Sequence, residues 1–347
     1  MTMKPLSRLF IAALTAGTML AAPVAMVQAA DGPGDGVTVR MAQATWDTGW
    51  FEAAVYKQLI EKLGYTVEGP TTLDNPPFYQ AVSQGDLDLW VNGWFPLHNS
   101  YESTYSQGAE LVGNVAKGGA LEGYLVDKAS VEKFGIKTLD DFKRDDVKAA
   151  FDRDGDGKAD LVACPPGWGC EINIEHHLDA YELRDHVNPI KASYSASMAD
   201  AVAAYREGTP ILFYTWTPNW TVDTLKPGED VMWIEVPEVN LPEAIADLAD
   251  AATLSGVTGC VADPCKLGFP ANDIRPVVNS AFLKDNPAVK VLLEEASLPI
   301  EDIFAQNAKM NDGEGSTADV ERHATEWVAA HADLVEGWLE KARAAAQ

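Results

Sequence analysis

Between Val37 and Val91 the chain alternates short apolar runs with amphipathic stretches, and this alternation limits the possible folds more than any other feature. Val37 to Ala42 reads as a strand. Trp50 to Leu63 has helical spacing, with Trp50, Ala54, Leu59 and Leu63 on one side, and Gly64 stops it. Tyr65-Thr66-Val67 reads as a second strand. Pro76, Pro77 and Phe78 open another helix that ends near Gly85, and Leu87 to Val91 alternates as a third strand leading into a loop from Asn92 to Asn99. Strand-helix-strand-helix-strand predicts an α/β fold with a largely parallel sheet. Gly123 to Val126 is a strand able to leave this unit. A second α/β unit follows, with helices over Glu171–Arg184 and Ala199–Glu207 and an apolar strand from Pro210 to Tyr214. Arg275 to Val278 reads as a strand and Asn286 to Glu295 as a helix. Ser316-Thr317-Ala318-Asp319 has the pattern of a capping box, opening a long final helix to about Ala344. The last third is expected to return to the first unit, giving residues 37–125 and 273–347 to lobe 1 and 126–272 to lobe 2. The 347 residues suffice for two domains. Two lobes joined by crossing strands put a ligand cleft between them, at carboxyl ends of strands.

The first residues read as an address rather than as structure. Lys4 and Arg8 precede an apolar run from Leu9 to Ala22, too short to span a bilayer comfortably, and Val27-Gln28-Ala29 offers small or apolar residues for cleavage. A secretory signal peptide over residues 1–29 and a periplasmic product are expected. The four cysteines form two close pairs, Cys164/Cys170 and Cys260/Cys265. Export favours a small disulfide loop from each pair, and a four-cysteine zinc site is the alternative.

Charge removes two partner classes. Fifty-two acidic residues against 26 Lys and Arg leave a formal charge of −26. A nucleic-acid backbone or an anionic lipid surface demands the opposite sign.

Two segments echo each other. Asp88 to Pro96 is a strand ending in Trp94-Phe95-Pro96, and Ile211 to Pro218 is a strand ending in Trp216-Thr217-Pro218. A third tryptophan, Trp168, sits in the Cys164-Pro165-Pro166-Gly167-Trp168-Gly169-Cys170 loop. Most of the ten tryptophans must be structural. Three that fall at strand ends or in a clamped loop favour a site. A quaternary ammonium has no N–H to donate, and indole faces supply it with cation–π attraction and apolar contact together. Sugar stacking is the rival use, but these loops show few convergent polar side chains. Gly169 and Cys170 precede the helix from Glu171, so their backbone N–H groups make an anion site. Glu171 should then point away. His98 is placed to donate a hydrogen bond. Cation at one end and carboxylate at the other describe a zwitterionic betaine.

The sequence resembles the periplasmic glycine betaine/proline betaine-binding components of ABC importers. The shared words are Leu63-Gly64-Tyr65-Thr66-Val67, Asn92 to His98, Asp154 to Leu161, Pro166 to Glu171, Tyr214 to Pro218 and Ala305 to Ala308. They span most of the chain in order. The resemblance implies a two-lobed Venus-flytrap fold of type II and a receptor without catalysis. It implies an ammonium cage of Trp94, Trp168 and Trp216, with the ligand carboxylate on His98 and the backbone of Gly169 and Cys170. It also implies a disulfide between Cys164 and Cys170. Glu238 to Lys266, with Cys260 and Cys265, departs from the family pattern, as does the strand near Trp46.

Asp152, Asp154, Asp156 and Asp160, with Gly157 at the turn, match the first half of a calcium loop, but Ala163 stands where an EF-hand needs a bidentate Glu. A structural calcium ion is the one candidate, and no other cofactor is implied. His176 and His177 are adjacent and do not share a helix face. No G-x-S-x-G, H-E-x-x-H or phosphate-binding loop is present, so ATP hydrolysis must belong to another subunit. The expectation is an exported monomeric receptor that carries glycine betaine or proline betaine to a membrane permease and its ATPase for osmoprotection. Receptors for choline, carnitine or a sulfonium analogue, a secreted carbohydrate-active protein and a signalling sensor are the alternatives.

Overall fold

The computed structural model describes residues 32–346, so the expected signal peptide lies outside the described residues. The strands are β1 (Thr38–Ala44), β2 (Thr66–Leu73), β3 (Leu89–Phe95), β4 (Ala109–Leu111), β5 (Ala116–Ala120), β6 (Glu122–Asp127), β7 (Ala159–Val162), β8 (Val187–Ile190), β9 (Leu212–Trp216), β10 (Val231–Ile234), β11 (Thr253–Leu254), β12 (Cys265–Lys266) and β13 (Asn272–Asn279). One sheet has the order β2-β1-β3-β13-β4, with β5 also on β13, and the other has the order β10-β6-β9-β7-β8. The two orders are the same pattern. In each sheet all strands but one run the same way, and the one antiparallel strand arrives from the other lobe: β13 in the first, β6 in the second. This is the mixed α/β, two-lobed architecture of type II periplasmic receptors.

The sequence explains which strands are central. Every residue of β3 and of β6 is buried, as strands covered on both faces must be. β2 lies at a sheet edge, is largely exposed and carries Pro70, which an edge tolerates.

Three expectations change. The lobe boundary expected at 125/126 falls inside β6, all of which lies in the second sheet; the crossing is between Ala120 and Glu122. The strands at the site run further than predicted, so Trp94 lies within β3 and Trp216 is the last residue of β9. The expected single final helix is two, Thr317–Ala330 and Ala332–Ala345, broken at His331 (φ −108°, ψ 30°). The break lets the first pack on the helix Trp50–Glu61 and the second on the helix Pro287–Glu295. The His331 ring stacks on Trp327 at 4.3 Å.

Both local cysteine pairs are disulfides, Cys164–Cys170 and Cys260–Cys265. The second lies in the divergent segment, where β11 and β12 form a separate two-stranded ribbon. Among the described residues no helix is long and apolar enough to cross a membrane.

Candidate functional site

A cavity opens where the carboxyl ends of β1, β3, β7 and β9 meet. All six residues singled out for ligand contact line it: Trp94, His98, Trp168, Gly169, Cys170 and Trp216. Four more line it that sequence reasoning missed: Trp46, Leu97, Glu122 and Tyr214. Trp46 stands just past the end of β1, so the rule that found Trp94 and Trp216 would have found it. Glu122 pairs directly with Trp216 across β6 and β9, and Tyr214 is two residues before Trp216. Opposed and alternate residues share a sheet face, so one indole brings both neighbours with it.

The indoles stand as walls. Trp46 meets Trp168 edge-on at 5.3 Å and 71°, and Trp168 meets Trp216 at 5.6 Å and 75°. Each ring is pinned through its own N–H. Trp168 Nε1 donates to Thr45 Oγ1 at 2.8 Å, and Trp216 Nε1 to Thr48 Oγ1 at 3.3 Å, both from one lobe to the other. Trp46 and Trp94 both donate to Asn92 Oδ1, at 2.6 and 3.1 Å.

The other end of the cavity is a helix N-terminus. The helix Gly169–Ala180 starts at the end of the disulfide loop, and the N–H groups of its first turn have no partner inside the helix. Gly169 lies so close to His98 that a Cβ there would come 2.7 Å from Cδ2 and 2.8 Å from Nε2. His98 is buried, and burial lowers its pKa to about 3, so the ring is neutral. Its Nδ1 accepts from the Trp94 backbone N–H at 3.1 Å and lies 2.7 Å from the Tyr79 hydroxyl. That leaves the ring proton to Nε2, the atom beside Gly169; Asn75 Nδ2 lies 3.0 Å from it, so with Nε2 protonated the Asn75 amide turns its otherwise unpaired Oδ1 to the ring. Glu171 turns away from the cavity, accepting from Gly167 N and from Lys191 Nζ.

One carboxyl faces the cavity. Glu122 accepts from the Tyr214 hydroxyl and from Asn272 Nδ2, the latter at 2.8 Å. Burial raises its pKa to about 7. Asn272 Oδ1 in turn accepts from the Leu97 N–H at 2.9 Å, linking both crossing strands to the loop that carries His98.

The acidic loop lies elsewhere. Asp152, Asp154 and Asp156 bring carboxylate oxygens within 4.8 Å of one another, but Asp160 is not in the group. Its carboxylate accepts from Arg153 N and Asn188 Nδ2 instead. Calcium takes six to eight oxygens, so main-chain carbonyls and water would have to supply the rest. His177 is buried against Tyr124 and Phe269, a packing position.

Comparison with known proteins agrees with this architecture. The chain is 39% identical to the glycine betaine-binding periplasmic protein OusX of Dickeya dadantii, over 91% of this chain and 93% of that one. It is 23% identical to a trimethylamine N-oxide-binding protein of Pelagibacter ubique, over 82% and 85%. The fold matches that of lactococcal OpuAC in its closed, glycine betaine-bound form with a TM-score of 0.64 at 20% identity, covering 87% of this chain and 99% of that one. Residues 37–330 match the family model described as the substrate-binding domain of ABC-type glycine betaine transport systems, and the chain belongs to that family of transport receptors.

Proposed function

We propose that this chain is a periplasmic receptor that holds glycine betaine or proline betaine between its lobes and hands it to the permease and ATPase of an ABC importer, without turning it over. The observation that carries the reading is the polarity of one buried cavity. Indole walls stand on one side, and on the other a neutral histidine faces a helix N-terminus. A quaternary ammonium has no hydrogen bond to lose among Trp94, Trp168 and Trp216, and it gains cation–π attraction there. The ligand carboxylate takes His98 Nε2–H and the N–H groups of Gly169 and Cys170, where the helix dipole favours an anion. With both lobes contributing walls, ligand binding stabilises the closed arrangement. The receptor acts as a monomer in this reading, each chain supplying its own cavity.

A second reading is trimethylamine N-oxide, and Trp46 and Glu122 favour it. A fourth indole narrows the cavity for a compact ligand. A buried carboxyl opposes a ligand carboxylate when ionised, and when protonated it offers an O–H to an N-oxide oxygen.

Calorimetric titration of the purified protein with glycine betaine, trimethylamine N-oxide, choline and a neutral sugar separates these readings. The first requires glycine betaine to bind tightest. Tighter binding of the N-oxide replaces it with the second, and binding of the sugar alone discards both. Trp168→Ala should weaken the preferred ligand ~30-fold or more, because a desolvated cation–π contact is worth roughly 2 kcal/mol.

A further inference from the structure

Behind the cavity lies a polar relay that touches no ligand space. Asn92 is 2% exposed and Glu52 is 1% exposed, both inside an otherwise apolar core. Asn92 Oδ1 accepts from two indoles, Trp46 Nε1 at 2.6 Å and Trp94 Nε1 at 3.1 Å. An indole N–H only donates, so the carbonyl side of this amide has to face the two rings. The amide nitrogen is then forced to the opposite side, where Glu52 Oε1 accepts from it at 3.2 Å. Glu52 Oε2 has no partner at all. A buried carboxyl with one bond is a costly thing to keep for stability alone. Gly49 leaves the space for this contact: a Cβ there would lie 2.8 Å from Asn92 Oδ1.

We propose that Glu52 and Asn92 are positioning residues for the binding site, a relay in which Glu52 fixes the orientation of the Asn92 amide and Asn92 fixes the planes of Trp46 and Trp94. The proposal rests on the reading of this cavity as the ligand site. Without Glu52 the amide is held from the indole side alone, and each misplaced rotamer puts an NH2 against two N–H donors. The rings then lose their common acceptor, and Trp46 and Trp94 no longer stand as fixed walls. A cation–π contact depends on the cation sitting over the ring face, so loosened rings weaken binding without losing contact area.

The test uses three variants of the whole chain, Glu52→Gln, Glu52→Leu and Asn92→Leu. Gln keeps an acceptor for the amide and cannot ionise. Leu fills similar space with no acceptor. Indole N–H resonances of the ligand-free protein are followed by NMR, glycine betaine affinity by calorimetry and Tm by thermal unfolding. Glu52→Gln should keep both indole resonances and bind within about three-fold of the parent. Glu52→Leu should move both resonances and weaken binding ~10-fold, while Tm moves little because the loss of an unpaired buried carboxyl is offset by the acceptor taken from Asn92 Nδ2. That split between affinity and Tm is what a merely structural role would not give. Asn92→Leu should shift both resonances upfield together. Unmoved indole resonances in Glu52→Leu, or parent-like affinity despite the change, overturn the relay. The resonances are read without ligand, so a parent that fails to bind glycine betaine overturns the functional reading and still leaves the relay decided.

Discussion

At the scale of single residues, the site depends on one contact that admits no side chain. Gly169 brings the first turn of its helix against His98, and a Cβ there would overlap the imidazole at 2.7 Å. Gly169→Ala should therefore push His98 off its place between Trp94 N and Tyr79 and take Nε2–H away from the ligand. We expect at least a ~100-fold loss of affinity, as two carboxylate contacts are disturbed at once, each a charge-assisted bond of about 1.5–3 kcal/mol. Calorimetry on the variant, with circular dichroism to show that it folds, checks this. The six residues chosen from sequence all line the cavity, and each carried a local signal: an indole at a strand end, a glycine at a helix start, a histidine four residues after a tryptophan. Glu122 carried none. An acid heading an apolar strand looks like an edge residue until the register with Trp216 is known, and register is a property of two strands together.

At the scale of elements, sequence was most reliable where a chemical stop was visible. Gly64 follows the end of the helix Trp50–Glu61 closely, and Gly85 caps the helix Asn75–Gln84 in the left-handed conformation. Strand ends had no such stop, and β3 and β9 ran on until the chain met the cavity. The break at His331 was also invisible, since nothing in its vicinity is a helix breaker. Packing on two different partner helices decides it. The capping box at Ser316 is present in full: Ser316 Oγ accepts from Asp319 N, and the Asp319 carboxylate accepts from Ser316 N. Ser316→Ala should cost about 1 kcal/mol in denaturant unfolding, with ligand affinity unchanged because no residue of that helix lines the cavity.

At the scale of the whole molecule, buried titratable groups set the pH range of stability. Glu52 and Glu122 have pKa values raised by burial from 4.5 to about 8 and about 7, so the folded state holds protons that the unfolded state releases. Their effect lowers stability as pH rises from about 4.5 to about 8, and it levels off above that. His98 and His177 have pKa values lowered by burial from 6.5 to about 3, so the unfolded state takes up protons first. Their effect lowers stability as pH falls below about 6.5. The two trends cancel between about pH 4.5 and about pH 6.5, so Tm should hold a plateau there and fall on either side. The Glu52→Gln/Glu122→Gln pair should remove the alkaline decline and leave the acid one, which a Tm series from about pH 5 to about pH 9 will show.

The exchange of strands between sheets also orders events in time. β13 is a central strand of the first sheet, seated between β3 and β4, yet it comes from residues 272–279. A chain that emerges amino end first therefore carries an unfinished first lobe, with an open slot beside β3, until nearly four-fifths of it has been made. The second sheet is built from the continuous stretch 122–234 and has no such wait. A nascent chain of this receptor stays open on its amino-terminal side for most of its synthesis, and it closes its first lobe only when the last quarter of the chain is delivered.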